Sequence, residues 1–151
     1  MRRSLLVLAL GLFSLAALSL PAAADGVYHS SHISFAPVGD VPLRSGFVEN
    51  IHPNGPNVFA REQYSVNGAE PNATYDVVLT VSIADTTCTH PSFSMTTATI
   101  TTDAAGNGTA AHVFTPADAA GLRGLLIGGM WQLVRAGTPV YATGCEAVQL
   151  D

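Results

Sequence analysis

Five histidines, two cysteines and a scatter of carboxylates are the residues of this chain with chemistry to offer. A strand that chelates a metal uses His-x-His, because alternate side chains share a face. His29 and His32 stand three apart, on opposite faces of any strand. His90 follows Cys88 by two, but a cysteine held in a disulfide cannot ligate. His112 shares parity with Ala110 and Phe114 and reads as an inward, satisfied core group. The sequence therefore assigns no metal and no cofactor. A metal-dependent or enzymatic protein built on His52, His90 or His112 is the alternative to the reading reached below.

Hydrolytic patterns are equally thin. No Gly-x-Ser-x-Gly elbow occurs. Glu49, Glu62 and Glu70 offer the carboxylates of glycoside chemistry, but that chemistry needs a cleft lined by aromatic rings, and the chain has one Trp. All three read as solvated strand faces and loops. Asp103-Ala104-Ala105-Gly106-Asn107-Gly108 brings two oxygen-bearing side chains to a glycine turn, too few for calcium, and reads as a hairpin turn. No catalytic residue is assigned.

Cys88 and Cys145 are the two cysteines. A lone pair in an exported protein is expected to form one bridge. Closing a loop of this length stabilises by about 4 kcal/mol in the chain-entropy picture. The compartment follows from the first 24 residues. Arg2 and Arg3 precede an uncharged apolar run, Leu5 to Leu20, then Pro21 and three alanines. That is the layout of a secretory signal, with cleavage expected between Ala24 and Asp25. The run falls short of the roughly 20 residues that cross a bilayer as a helix. Residues 1–24 are thus read as a signal peptide and 25–151 as one secreted or periplasmic domain, with no membrane insertion after cleavage. Without the leader, four arginines and no lysine face eleven acids. Such a surface repels phosphate backbones and argues against nucleic acid as a partner.

The elements that position these residues are strands. Tyr75, Val77, Leu79, Val81 and Ile83 alternate with mostly polar neighbours over residues 75–83. Further strands are expected over 27–35, 41–48, 58–66, 92–101, 109–114, 125–135 and 140–150. Two parity slips demand irregularities. Phe93 and Met95 are out of step with Ala98 and Ile100, which predicts a bulge near Thr96-Thr97. Tyr141 and Cys145 are out of step with Val148 and Leu150, which predicts a shift near Gly144. Asn54-Gly55, Asn67-Gly68, Asn107-Gly108 and Ala136-Gly137 mark turns. Residues 115–121, with Thr115 and Pro116 at one end and Gly121 at the other, carry the one helical signal, a turn or two. About eight strands in one small domain make an all-β, antiparallel sandwich of 7–9 strands or a barrel.

The segment Ala69-Glu70-Pro71-Asn72-Ala73-Thr74-Tyr75-Asp76-Val77 resembles the approach to a strand in fibronectin type III and other immunoglobulin-like modules. The resemblance implies an immunoglobulin-like β-sandwich of the small secreted bacterial kind. It also implies a structural corner at Tyr75, the hydroxyl returning to upstream backbone. The antibody-type Cys…Trp…Cys order is absent, since Trp131 lies close to Cys145.

These observations favour a non-catalytic module that binds an extracellular ligand or protein. Binding is expected on loops 36–42, 50–57 and 84–92, with Ile51, His52 and Asn54 as the candidates in the middle one. A structural role through strand addition is a third reading.

Overall fold

Period-two alternation builds two antiparallel sheets. The computed structural model describes residues 29–52 and 58–150. The leader with its cleavage site at Ala24 and Asp25 lies outside the described residues, as does Asn54. One sheet runs in the order β1 (His29–Ser34), β3 (Ser45–His52), β4 (Ala60–Asn67), β7 (Gly108–Phe114). The other runs β2 (Ala36–Pro37), β9 (Thr138–Ala142), β8 (Leu126–Arg135), β5 (Thr74–Ile83), β6 (Phe93–Thr101), and β10 (Glu146–Gln149) also pairs with β8. The described residues are all-β, with ten strands where seven to nine are expected. The surplus comes from the two-residue β2 and from the division of the expected 140–150 strand.

Tyr75, Val77, Leu79 and Val81 of β5 point inward and are buried. They meet Ile127, Trp131 and Leu133 of β8, and, from the facing sheet, Val48, Tyr64 and Val66. Thr80 and Ser82, on the other face of β5, are buried as well. The 84–92 loop explains this. Asp85 gathers it by accepting from the backbone N–H groups of Thr87 (2.9 Å) and His90 (2.7 Å), and a disulfide joins Cys88 to Cys145. Gly128, opposite Ser82, lets this cover close down: a Cβ there would sit 2.3 Å from the Asp85 carbonyl oxygen and 2.9 Å from Cys88 Sγ.

Both expected irregularities are present. Val77 pairs with Ala98 and Val78 with Thr96, so Thr97 is the extra residue of a bulge. The second slip is a break. Residues 143–145 separate β9 from β10, so that β10 pairs with the first half of β8 and β9 with the second. Trp131 N–H donates to Thr143 Oγ1 at 3.0 Å, and Thr143 N–H donates back to the Trp131 carbonyl at 2.9 Å. Ala136 and Gly137 both have positive φ and close the β8–β9 hairpin.

Four expectations are corrected. The strand placed at 41–48 starts at Ser45 and runs to His52, because the ladder to β4 begins at Ser45↔Asn67. The 102–107 turn is no hairpin, since β6 and β7 belong to different sheets and the turn arches between them. Residues 115–125 form successive turns with i to i+3 hydrogen bonds instead of a regular helix. The Tyr75 hydroxyl does not reach upstream backbone. Its ring packs edge-on against Tyr141 at 5.6 Å, and Tyr141 instead donates to the Pro42 carbonyl at 2.7 Å.

Candidate functional site

The inner face of the four-stranded sheet changes character along its length. Val48, Tyr64 and Ala110 form one row across β3, β4 and β7. The next row is Asn50, Glu62 and His112, and directly opposed residues share a face. The even positions of β4 (Ala60, Glu62, Tyr64, Val66) are all buried, which carries Glu62 into the core at 2 % exposure. This corrects its reading as a solvated strand residue. Glu49 and Glu70 do stay near water, beside His32 (2.9 Å) and Arg135 respectively.

A cavity of about 80 Å³ opens at this end of the sandwich. Asn50, His52 and Glu62 line it from one sheet, and Leu79, Val81, Met95, Ile127 and Trp131 from the other. The 115–125 segment straps the end, contributing Asp118, Ala119 and Leu122. Asp118 holds the strap's first turn by accepting from Thr115 N–H (2.7 Å) and Oγ1 (2.8 Å). Phe93, 39 % exposed, also lines the cavity, so the space reaches the surface beside it.

Burial pushes the Glu62 carboxyl from 4.5 up to about 7, against the opposing pull of Tyr64 and Trp131. Both protonation states have a hydrogen-bonding solution. The ionised carboxylate accepts the Tyr64 phenol proton, and Thr97 Oγ1 lies 2.7 Å from the same phenol oxygen. In the protonated form the chain reverses. Glu62 then donates to Tyr64, Tyr64 to Thr97, and Thr97 to the Val77 carbonyl at 3.4 Å. The bulge at Thr97 makes this chain, since it turns that hydroxyl inward. Burial, followed by the negative charge of Glu62, pushes the Tyr64 phenol far above its usual value. The Trp131 indole N–H faces the carboxyl but forms no well-made hydrogen bond. Asn50 Oδ1 is buried without a donor.

The histidines separate. His52 lines the cavity, its ring edge-on to Phe59 at 5.7 Å. His90 is exposed on the disulfide-bearing loop, with Nδ1 3.4 Å from Asp85. His112 is half-buried in the row of Glu62 and packs on Phe114 at 4.5 Å, outside the cavity lining. Among the described residues, no three His, Cys, Asp or Glu side chains converge to hold a metal. Ile51 and His52 belong to β3, not to a loop, and only His52 faces the cavity.

No family model, curated protein or solved structure matches this chain.

Sequence reasoning missed Glu62, Asn50 and Trp131 as a group. A signal was present: Glu62 has the parity of Tyr64 and Val66, and Asn50 that of Val48. What alternation along one strand lacks is the opposite sheet, from which Trp131 and Thr97 approach.

Proposed function

We propose that this chain is a non-catalytic binding module, exported with removal of residues 1–24, that takes a small ligand into the cavity between its sheets. The observation that carries the reading is the hollow itself, with a buried carboxyl and the orphaned Asn50 Oδ1 in its wall. Interiors ordinarily fill such space and pair such atoms. The lining is largely apolar with a few polar groups, the usual composition of a small-molecule site. No hydroxyl, thiol or amine nucleophile lines it among the described residues, which favours binding over covalent chemistry. The immunoglobulin-like resemblance remains part of this reading at the level of the sandwich. Export is supported by the leader's layout and is compatible with the Cys88–Cys145 bridge.

The test is a two-dimensional NMR screen of the intact protein against small organic molecules of up to six heavy atoms, spanning neutral, cationic and anionic heads. Saturable shifts at Asn50, Leu79, Val81 and Trp131 are expected. A panel in which no member moves these residues overturns the proposal. So does a screen whose shifts fall only on the 38–44 and 84–92 loops.

A further inference from the structure

We propose, on the basis that the cavity is the binding site, that its ligand is a small primary alkylammonium whose head sits between Glu62 and Asn50 and whose short tail lies against Leu79, Val81, Ile127 and Trp131. The polar lining includes the carboxyls of Glu62 and Asp118 and the Asn50 amide oxygen. Asn50 and Glu62 are directly opposed on β3 and β4, which sets their Cβ atoms roughly 5 Å apart on one face. An ammonium between them donates to both. Asn50 Oδ1, in a residue only 5 % exposed, has no donor among the described residues. Among the described residues, no arginine pairs with Glu62. Arg61, next to Glu62 on β4, lies on the exposed face of the strand, and the guanidinium of Arg123 is held over the Phe59 ring at 5.4 Å. Asp118 adds a carboxylate at the strap. A carboxylate head would meet like charge here, and a neutral alcohol would leave the buried carboxylate uncompensated.

Size narrows the class. A cavity of about 150 Å³ takes a benzene. At about 80 Å³, this one holds the head and two or three carbons, and a longer tail leaves beside Phe93. A primary ammonium is the most compact organic cation that keeps three donors.

The titratable groups around Glu62 are Tyr64 on its own strand, His52 on β3, His112 on β7 and Asp118 on the strap. The six-stranded sheet contributes none to the cavity lining. The head needs the ionised form of Glu62, which burial confines to pH values above about 7. Binding therefore weakens on acidification, while the amine itself stays charged.

The experiment compares n-propylammonium, 1-propanol and propionate on the unmodified protein, followed by the emission of Trp131, the only tryptophan in the chain, and by NMR shifts at Asn50. At pH 8.5 the ammonium is expected to bind at least tenfold more tightly than the alcohol, with propionate failing to compete. At pH 5.5 the advantage is expected to fall below threefold. Glu62→Gln is expected to abolish the advantage and keep the alcohol's affinity. The comparison in the unmodified protein decides the matter even where that variant folds poorly. Alcohol binding equal to or tighter than ammonium at pH 8.5 overturns the amine assignment and leaves the cavity as a binding site. Failure of all three ligands, together with a blank wider screen, overturns both.

Discussion

The two ends of the sandwich are made by the same two sheets and solve burial differently. At one end, Tyr75, Val77, Ile100, Leu133 and Tyr141 fill the space between the sheets. There Thr102 and Asp103 tie the inter-sheet arch to neighbouring backbone. Thr102 Oγ1 accepts from Ala73 N–H at 2.9 Å and donates to the Glu70 carbonyl at 2.7 Å. At the other end the sheets enclose a hollow, with a buried carboxyl and an unmet amide oxygen in its wall. A hollow and an unmet amide oxygen coincide there, whereas the Tyr75 hydroxyl and Asn107 Oδ1, also buried without a partner, stand where side chains fill the space. A fold that fills one end with side chains has the means to fill both, and the unfilled end is the one the proposed function uses.

Gly106 is the tightest point of the closed end. Its φ is +77, and a Cβ would lie 2.0 Å from the Ala69 carbonyl oxygen. Gly106 also accepts the Ala69 N–H at 3.0 Å. Gly106→Ala combines a left-handed backbone with a clash against main chain, and is expected to cost about 3 kcal/mol. Urea unfolding measures it, and ligand binding at the far end is expected to persist under conditions where the variant stays folded. A cost under 1 kcal/mol means the arch can shift, and the closed end is less rigid than its hydrogen bonds imply.

The cavity end is probed through pH. With Glu62 raised from 4.5 to about 7, the folded chain holds this proton more tightly than the unfolded one. Stability from this group is complete below pH 4.5, falls as pH rises towards 7, and is level above that. The full change corresponds to about 3 kcal/mol. Asp85, Asp103 and Asp118 are held below the usual carboxylate range, chiefly by hydrogen bonds from Thr87, Asn107 and Thr115 respectively. Their stabilisation is present above 3.8 and is lost on acidification, below the Glu62 window. Unfolding at pH 5 and pH 8 is expected to show the slope in the unmodified protein, and Glu62→Gln is expected to remove it. An unchanged slope in the variant assigns the titration to another group.

Much of the strand framework is legible in the sequence, and little of the cavity's polar wall is. The alternation from Tyr75 to Val81 names a strand and its inward face. The parity slip at Thr96-Thr97 locates the bulge, because a period of two admits no other repair. Two cysteines name their own bridge. By contrast, His52 borders Pro53-Asn54-Gly55, whose turn signal hides the last residues of β3. Glu62 carries the right parity, but a carboxylate defaults to water. Its burial follows from what the second sheet places over it, a relation between strands far apart in sequence.

Thr102 gives the smaller and cleaner contrast. Thr102→Val keeps the shape of the side chain and removes its hydroxyl. The buried Ala73 N–H then loses its acceptor and the Glu70 carbonyl a donor. The expected cost is about 2 kcal/mol, read from urea unfolding at pH 8. At the same pH, Glu62→Gln removes a buried charge that the fold must desolvate, and stability is expected to hold or rise. One polar side chain is expected to stabilise its end of the sandwich, and the other to be carried at a cost that the proposed ligand would offset. A Thr102→Val variant as stable as the parent would leave the closed end held by packing alone, and the opposite signs would no longer distinguish a structural end from a functional one.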